Sequence, residues 1–196
     1  MLDLKLFNYL GMEIALYNSI GQFERTTDFE NLVKTGMQRF SKEIHITAKL
    51  FTFFQLGLAY FGESNFLLAK NRLNKVIYDE HARSFPRVIV QAQLLSLLIQ
   101  FEKMNFDKLI QQAKLILKEE IKTIVKYPKF HLFFEYFANT ENPEEVMNLK
   151  RLLSKLDKQL TKEKSDEIIT DIHLRTWVTA KQKKINYATE LKLETK

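Results

Sequence analysis

The chain has no cysteine, so no disulfide framework supports it, and this usage fits a reducing compartment. Breakers are scarce as well. Five glycines and three prolines in 196 residues leave room for long helices. No apolar run reaches the roughly 20 residues that a membrane span needs. The two longest, from Phe51 to Gly62 and from Val88 to Phe101, are each interrupted by Gln. Met1-Leu2-Asp3-Leu4-Lys5 does not lead from a basic segment into a long apolar core, so no signal peptide is expected. Charge of one sign is also missing as a block. The formal net charge of +6 comes from interspersed acids and bases, with most of the excess after Lys150. That pattern reads as a solvated surface rather than a nucleic-acid patch.

Catalytic and metal-binding motifs are absent too. There is no Gly-rich phosphate loop and no Gly-x-Ser-x-Gly turn. His45, His81, His131 and His173 are far apart in sequence and read as ordinary surface or core histidines. Glu119-Glu120 and Glu144-Glu145 are sequence neighbours, so neither pair shares a helix face. No catalytic residue, cofactor or metal is expected.

What the chain does have is helical periodicity and sixteen phenylalanines. Its length suits one domain, which at this size buries about 70% of the surface its unfolded chain exposes. Leu6, Leu10, Ile14 and Tyr17 set a first helix from Leu2 to about Ile20, closed by Gly21. Thr27 and Glu30 stand at capping-box spacing and predict a second helix from Asp28 to Phe40. Ser41 is placed to cap a third, from Lys42 to Phe61. Further helices follow from Phe66 to Tyr78, from Pro86 to Lys103, from Asp107 to Lys126 and from Phe130 to Ala138. Asn142-Pro143-Glu144-Glu145 combines a cap, a first-turn proline and two acids, and it starts an eighth that runs to Thr161. A ninth is expected from Asp166 to Lys184, and the last residues read as frayed.

One window carries more than periodicity. Phe53, Leu56-Gly57, Tyr60, Phe66 and Ala69 follow at fixed spacing. Small Gly57 and Ala69 would let two helices approach, while Phe53, Leu56 and Tyr60 share one face. Tyr17 to Phe23 repeats the spacing of Tyr60 to Phe66, and Gln100 to Phe106 keeps the Phe and the Asn. The three phenylalanines lie 43 and 40 residues apart. The pattern resembles the tetratricopeptide repeat, a stacked helix–turn–helix unit of about 34 residues. It is also similar to divergent tetratricopeptide-like regions near the C-terminal ends of longer bacterial proteins. The third unit departs from the pattern, lacking the small residue and the Tyr.

The resemblance implies an all-α, solenoid-like stack of antiparallel helix hairpins with about eight or nine helices. Residues 1–126 would form three hairpins, residues 127–185 capping helices, and residues 186–196 a frayed tail. A plain antiparallel bundle with coincidental spacing is the alternative. In such folds the first helix of each hairpin lines a concave groove. Here that face carries Phe51, Phe54, Leu58 and Phe61, then Gln91, Leu94, Leu98 and Phe101. These are the expected partner-binding residues. The basic residues with which relatives clamp a peptide carboxylate are missing. The groove either accepts an apolar segment of another molecule or is filled by the chain's own C-terminal helices.

Two further patterns stand out. Val146, Leu149, Leu153, Leu156 and Leu160 alternate three- and four-residue spacing, a seam for packing within the domain or for a homodimer. Lys114, Lys118, Lys122 and Lys126 recur every four residues, a solvated face or a stripe that meets phosphates. The expected function is a non-enzymatic, cytoplasmic protein-interaction scaffold. The alternative is the helical sensor portion of a larger bacterial regulator, or a fragment of a longer protein.

Overall fold

The computed structural model describes residues 4–160 and 172–195. Every regular element among them is helical. The elements are α1 (Leu4–Ser19), α2 (Phe23–Thr27), α3 (Glu30–Arg39), α4 (Ile46–Gly62), α5 (Phe66–Ile77), α6 (Pro86–Glu102) and α7 (Phe106–Ile124). They continue with α8 (Pro128–Ala138), α9 (Pro143–Met147), α10 (Lys150–Leu160), α11 (Leu174–Lys183) and α12 (Tyr187–Glu194). A 3₁₀ turn, Ala82–Ser84, sits between α5 and α6.

This is more segments than the eight or nine expected, for three local reasons. A short α2 follows Gly21. The eighth expected helix breaks at Asn148, giving α9 and α10. The expected frayed tail instead holds α12, which buries Tyr187 and Leu191. The expected start of the ninth helix at Asp166 lies outside the described residues, as does the side chain of Leu6.

Two expected caps are also replaced. The backbone at Phe29 opens α3, and no side chain caps it. Glu30 turns away from that helix end to take Arg72 and, at 3.1 Å, the hydroxyl of Tyr60. A charged partner from α5 outcompetes a local amide for the carboxylate. Ser41 lies in a turn, and α4 begins later, with the His45 side chain accepting from the amide of Thr47. Asn142 caps α9 as expected, accepting from the amide of Glu145 at 3.0 Å.

Neighbouring helices pack in chain order, α4 on α5, α5 on α6, α6 on α7 and α7 on α8. Helices two apart also touch, α4 with α6 and α6 with α8, and α1 lies against α4. One turn recurs three times in this array. Gly21, Ser64 and Met104 each have positive φ, two residues before Phe23, Phe66 and Phe106. Each turn carries the same pair of backbone bonds. Gly21, Ser64 and Met104 donate to Asn18, Phe61 and Phe101 at 3.1, 2.9 and 2.9 Å. The next residues, Gln22, Asn65 and Asn105, reach five back to Tyr17, Tyr60 and Gln100 at 2.9, 2.8 and 2.9 Å. This pair of hydrogen bonds is the left-handed helix cap that satisfies the last carbonyls of a helix. Phe66 and Phe106 then fold back on Phe61 and Phe101, with ring centroids 5.9 and 5.7 Å apart.

Small residues sit where helices come closest. A methyl group built on Gly57 would press on Leu73, and one on Gly62 would overlap the Phe23 ring. A buried polar network joins the first elements to α4. The Asn18 amide donates to Gln55 O at 2.8 Å and to Gln55 Oε1 at 2.9 Å, while Thr26 Oγ1 donates to Asn18 Oδ1 at 3.1 Å.

At the far end, the Tyr136 hydroxyl holds the break after α9. Its proton is shared between the carbonyls of Glu145 at 2.7 Å and Asn148 at 2.8 Å. Burial pushes this phenol up to about 12, with the charge of Glu145 adding to the effect. An unfolded tyrosine ionises near pH 10. The raised value therefore contributes stability that is whole below pH 10 and lost as pH climbs towards 12. Tyr136→Phe should cost about 1 kcal/mol at pH 9. The gap between wild type and variant should shrink by pH 11.5, and urea titrations at both pH values check this. An unchanged gap would show that the hydroxyl does not titrate differently in the folded state.

Candidate partner-binding site

The eight residues expected to line a groove divide into two groups. Phe54, Leu58, Phe61, Gln91, Leu94, Leu98 and Phe101 are buried. Phe51 alone stays partly exposed. The buried group is core in this structure, and α4 and α6 do not present it as an open channel.

The C-terminal helices cover one end of this face. α11 docks at the end of α6, where the Trp177 ring meets Phe101 edge-on at 5.0 Å and lies 6.3 Å from Phe133. Glu102 anchors the contact. Its two oxygens accept from Trp177 Nε1 at 2.8 Å and from Lys181 Nζ at 2.7 Å. α12 docks at the end of α4, where Tyr187 lies 5.8 Å from Phe61 and 5.7 Å from Phe23. Asn186 Nδ2 donates to Ser64 Oγ at 3.3 Å. The turn between α11 and α12 repeats the cap seen earlier. Lys184 has positive φ, and Ile185 donates five back to Ala180 at 3.0 Å. The C-terminal helices were one of the two covers expected from sequence, but residues 186–196 read as frayed, so α12 was missed. The sole tryptophan of the chain, set among polar residues, was the available signal.

The other end of the face remains open. Phe51 and Gln91 reach it, joined by Leu50, Phe85, Val88 and Tyr127 around a pocket of about 480 Å³. Its walls are mostly apolar, from the starts of α4 and α6 and the residue that opens α8. The face thus has a covered end and an apolar mouth.

Val146, Leu149 and Leu156 are buried in the chain's own core, and Leu153 is partly buried. The side chain of Leu160 lies outside the described residues. The seam also spans two helices and the link between them, because α9 ends at Met147. It packs α10 against α8 and α11, so it is not an exposed dimer surface. Lys114, Lys118, Lys122 and Lys126 are all exposed, with Lys126 beyond the end of α7. No cluster of metal-binding side chains occurs among the described residues. No helix among them is long and apolar enough to cross a membrane.

No family model, no curated protein and no solved structure matches this chain.

Proposed function

We propose that this protein is a non-enzymatic interaction module of tetratricopeptide-like type, a solenoid-like stack of helix hairpins closed by its own C-terminus. The observation that carries the reading is the threefold turn. The same left-handed cap, followed by the same phenylalanine, recurs after α1, α4 and α6. Repetition of one hairpin is how a helical array builds an extended face for partners. The hairpin of α11 and α12 fills the far end of that face. The apolar mouth at Phe51 takes a side chain from a peptide or helix of another protein. Freedom from cysteine suits work in the cytoplasm.

Selection of peptides from a displayed random library against the immobilised chain tests this. Winning peptides should carry a large apolar residue. Phe51→Glu should weaken their binding at least tenfold while leaving the far-ultraviolet dichroism unchanged. If no peptide is enriched, the interaction reading is wrong. If those enriched ignore Phe51→Glu, the mouth is not the site.

A further inference from the structure

The leading helices α4 and α6 are each covered on the side of the unit before them. The phenylalanines at 23, 66 and 106 set the offsets between units, 43 and 40 residues. By those offsets Tyr9, Met12 and Leu16 of α1 stand where α4 has Thr52, Gln55 and Ala59, and where α6 has Ala92, Leu95 and Ile99. All six of these equivalents are buried. On α4 the cover is the preceding unit. Gln55 accepts from the Asn18 amide at 2.9 Å, and a methyl group built on Gly11 would press on Thr52. α6 packs in the same way against α4 and α5.

On α1 this face is uncovered. Tyr9 is 71% exposed, Met12 49% and Leu16 52%, and Ile20, just past the helix end, continues the line at 40%. Steps of three and four residues keep the four side chains on one stripe. Glu13, at its edge, is the only charged residue among the described side chains of α1. The end helix of a repeat array ordinarily turns a polar face to water. Here the end carries an apolar patch of roughly 500 Å², a size that marks an interaction site.

We infer that this stripe pairs with the same stripe of a second copy of the chain, α1 against α1 about a two-fold axis. The surface itself selects that occupant. No other helix among the described residues exposes four large apolar side chains on one face. A head-to-tail stack would bring up the α8–α10 end, where Met147 is the only exposed large apolar side chain among the described residues. Such a stack would also propagate, whereas a two-fold contact closes. The stripe suits antiparallel pairing. Met12 and Leu16 lie evenly about Ile14, and Tyr9 and Ile20 nearly so. Met12 of each copy therefore meets Leu16 of the other, and Tyr9 meets Ile20. Pairing removes on the order of 1,000 Å² from water, the low end for a specific interface, so the dimer forms at micromolar concentration. The inference rests on the repeated hairpin and not on the mouth at Phe51, so peptide selection and the test below fail independently.

Sedimentation velocity of the full chain, from low micromolar to several hundred micromolar, is the test. The mass should rise to that of two chains. Leu16→Glu should weaken the pairing at least tenfold with unchanged far-ultraviolet dichroism, because Leu16 is half exposed already. Leu115→Glu, at an equally exposed leucine on α7, should leave it intact. Added salt should not dissociate an apolar contact, and it screens the two Glu13 carboxylates that share one edge. The absence of cysteine allows a check of register. Under mild oxidation a mixture of Met12→Cys and Leu16→Cys chains should cross-link faster than either variant alone. A single-chain mass throughout overturns the proposal. So does a dimer indifferent to Leu16→Glu, one weakened equally by Leu115→Glu, one dissolved by salt, or faster cross-linking of a single variant than of the mixture.

Discussion

Trp177→Ala is expected to destabilise the protein by about 3–5 kcal/mol, the range for removing a large buried aromatic. Trp177 has no exposed surface, and its ring is wedged against Phe101 and Phe133. Its indole N–H also satisfies Glu102, which would keep only Lys181. Against a total stability of about 5–15 kcal/mol, such a loss leaves a marginal fold. Trp177→Phe separates the two contributions. It retains most of the ring contacts and removes only the hydrogen bond to the carboxylate, a loss of about 1–3 kcal/mol. Urea unfolding of the three proteins gives the comparison. Trp177 is the only tryptophan, so its fluorescence in the wild type reports the docking of α11 directly. A cost below 1 kcal/mol for the alanine variant would mean that α11 does not close this face.

The second large effect is expected at the other end of the array. Asn18→Leu should cost about 2–4 kcal/mol, because breaking a buried hydrogen bond from one side costs about 1–3 kcal/mol. The substitution strips both Gln55 oxygens of the Asn18 amide and leaves the Thr26 hydroxyl without its acceptor. Asn18, Thr26 and Gln55 are all buried, so bulk water does not replace what is lost. Pairing the change with Gln55→Leu tests the mechanism. The double variant should cost less than the two single costs added together, since either substitution alone already breaks the hydrogen bonds that the two residues share. Strict additivity in a thermal or urea cycle would deny that the side chains act as one network.

The two sites show how far local pattern carries in this chain. The hairpin of α4 and α5 was legible because everything it needs lies within one window. Phe53, Leu56, Tyr60 and Ala69 are buried as their spacing implies, and Gly57 lies against Leu73. The phenylalanines at 23, 66 and 106 marked three related turns before any backbone angle was known. Local rules failed where a distant charge or surface competed. Glu30 had the spacing for a capping box, but Arg72, 42 residues away, holds it instead. Ser41 had the chemistry of a cap, and α4 starts beyond it.

The candidate site divides along the same line. That Phe54, Leu58, Leu94 and Leu98 are apolar at helical spacing was plain from sequence. Whether they face a partner or the core was not, because periodicity names a buried face without naming what buries it.

By itself, the sequence determined the helical class, most helix boundaries and the repeated turn. These depend on contacts within a few residues, on breakers and on the preference of each residue for its local backbone. Only the tertiary structure decided that the tail folds back. Tyr187 meets Phe61 and Trp177 meets Phe101 across long stretches of chain. Hydrophobic burial has no direction and no memory of sequence distance. It selects whichever apolar surface the folded chain can bring to hand.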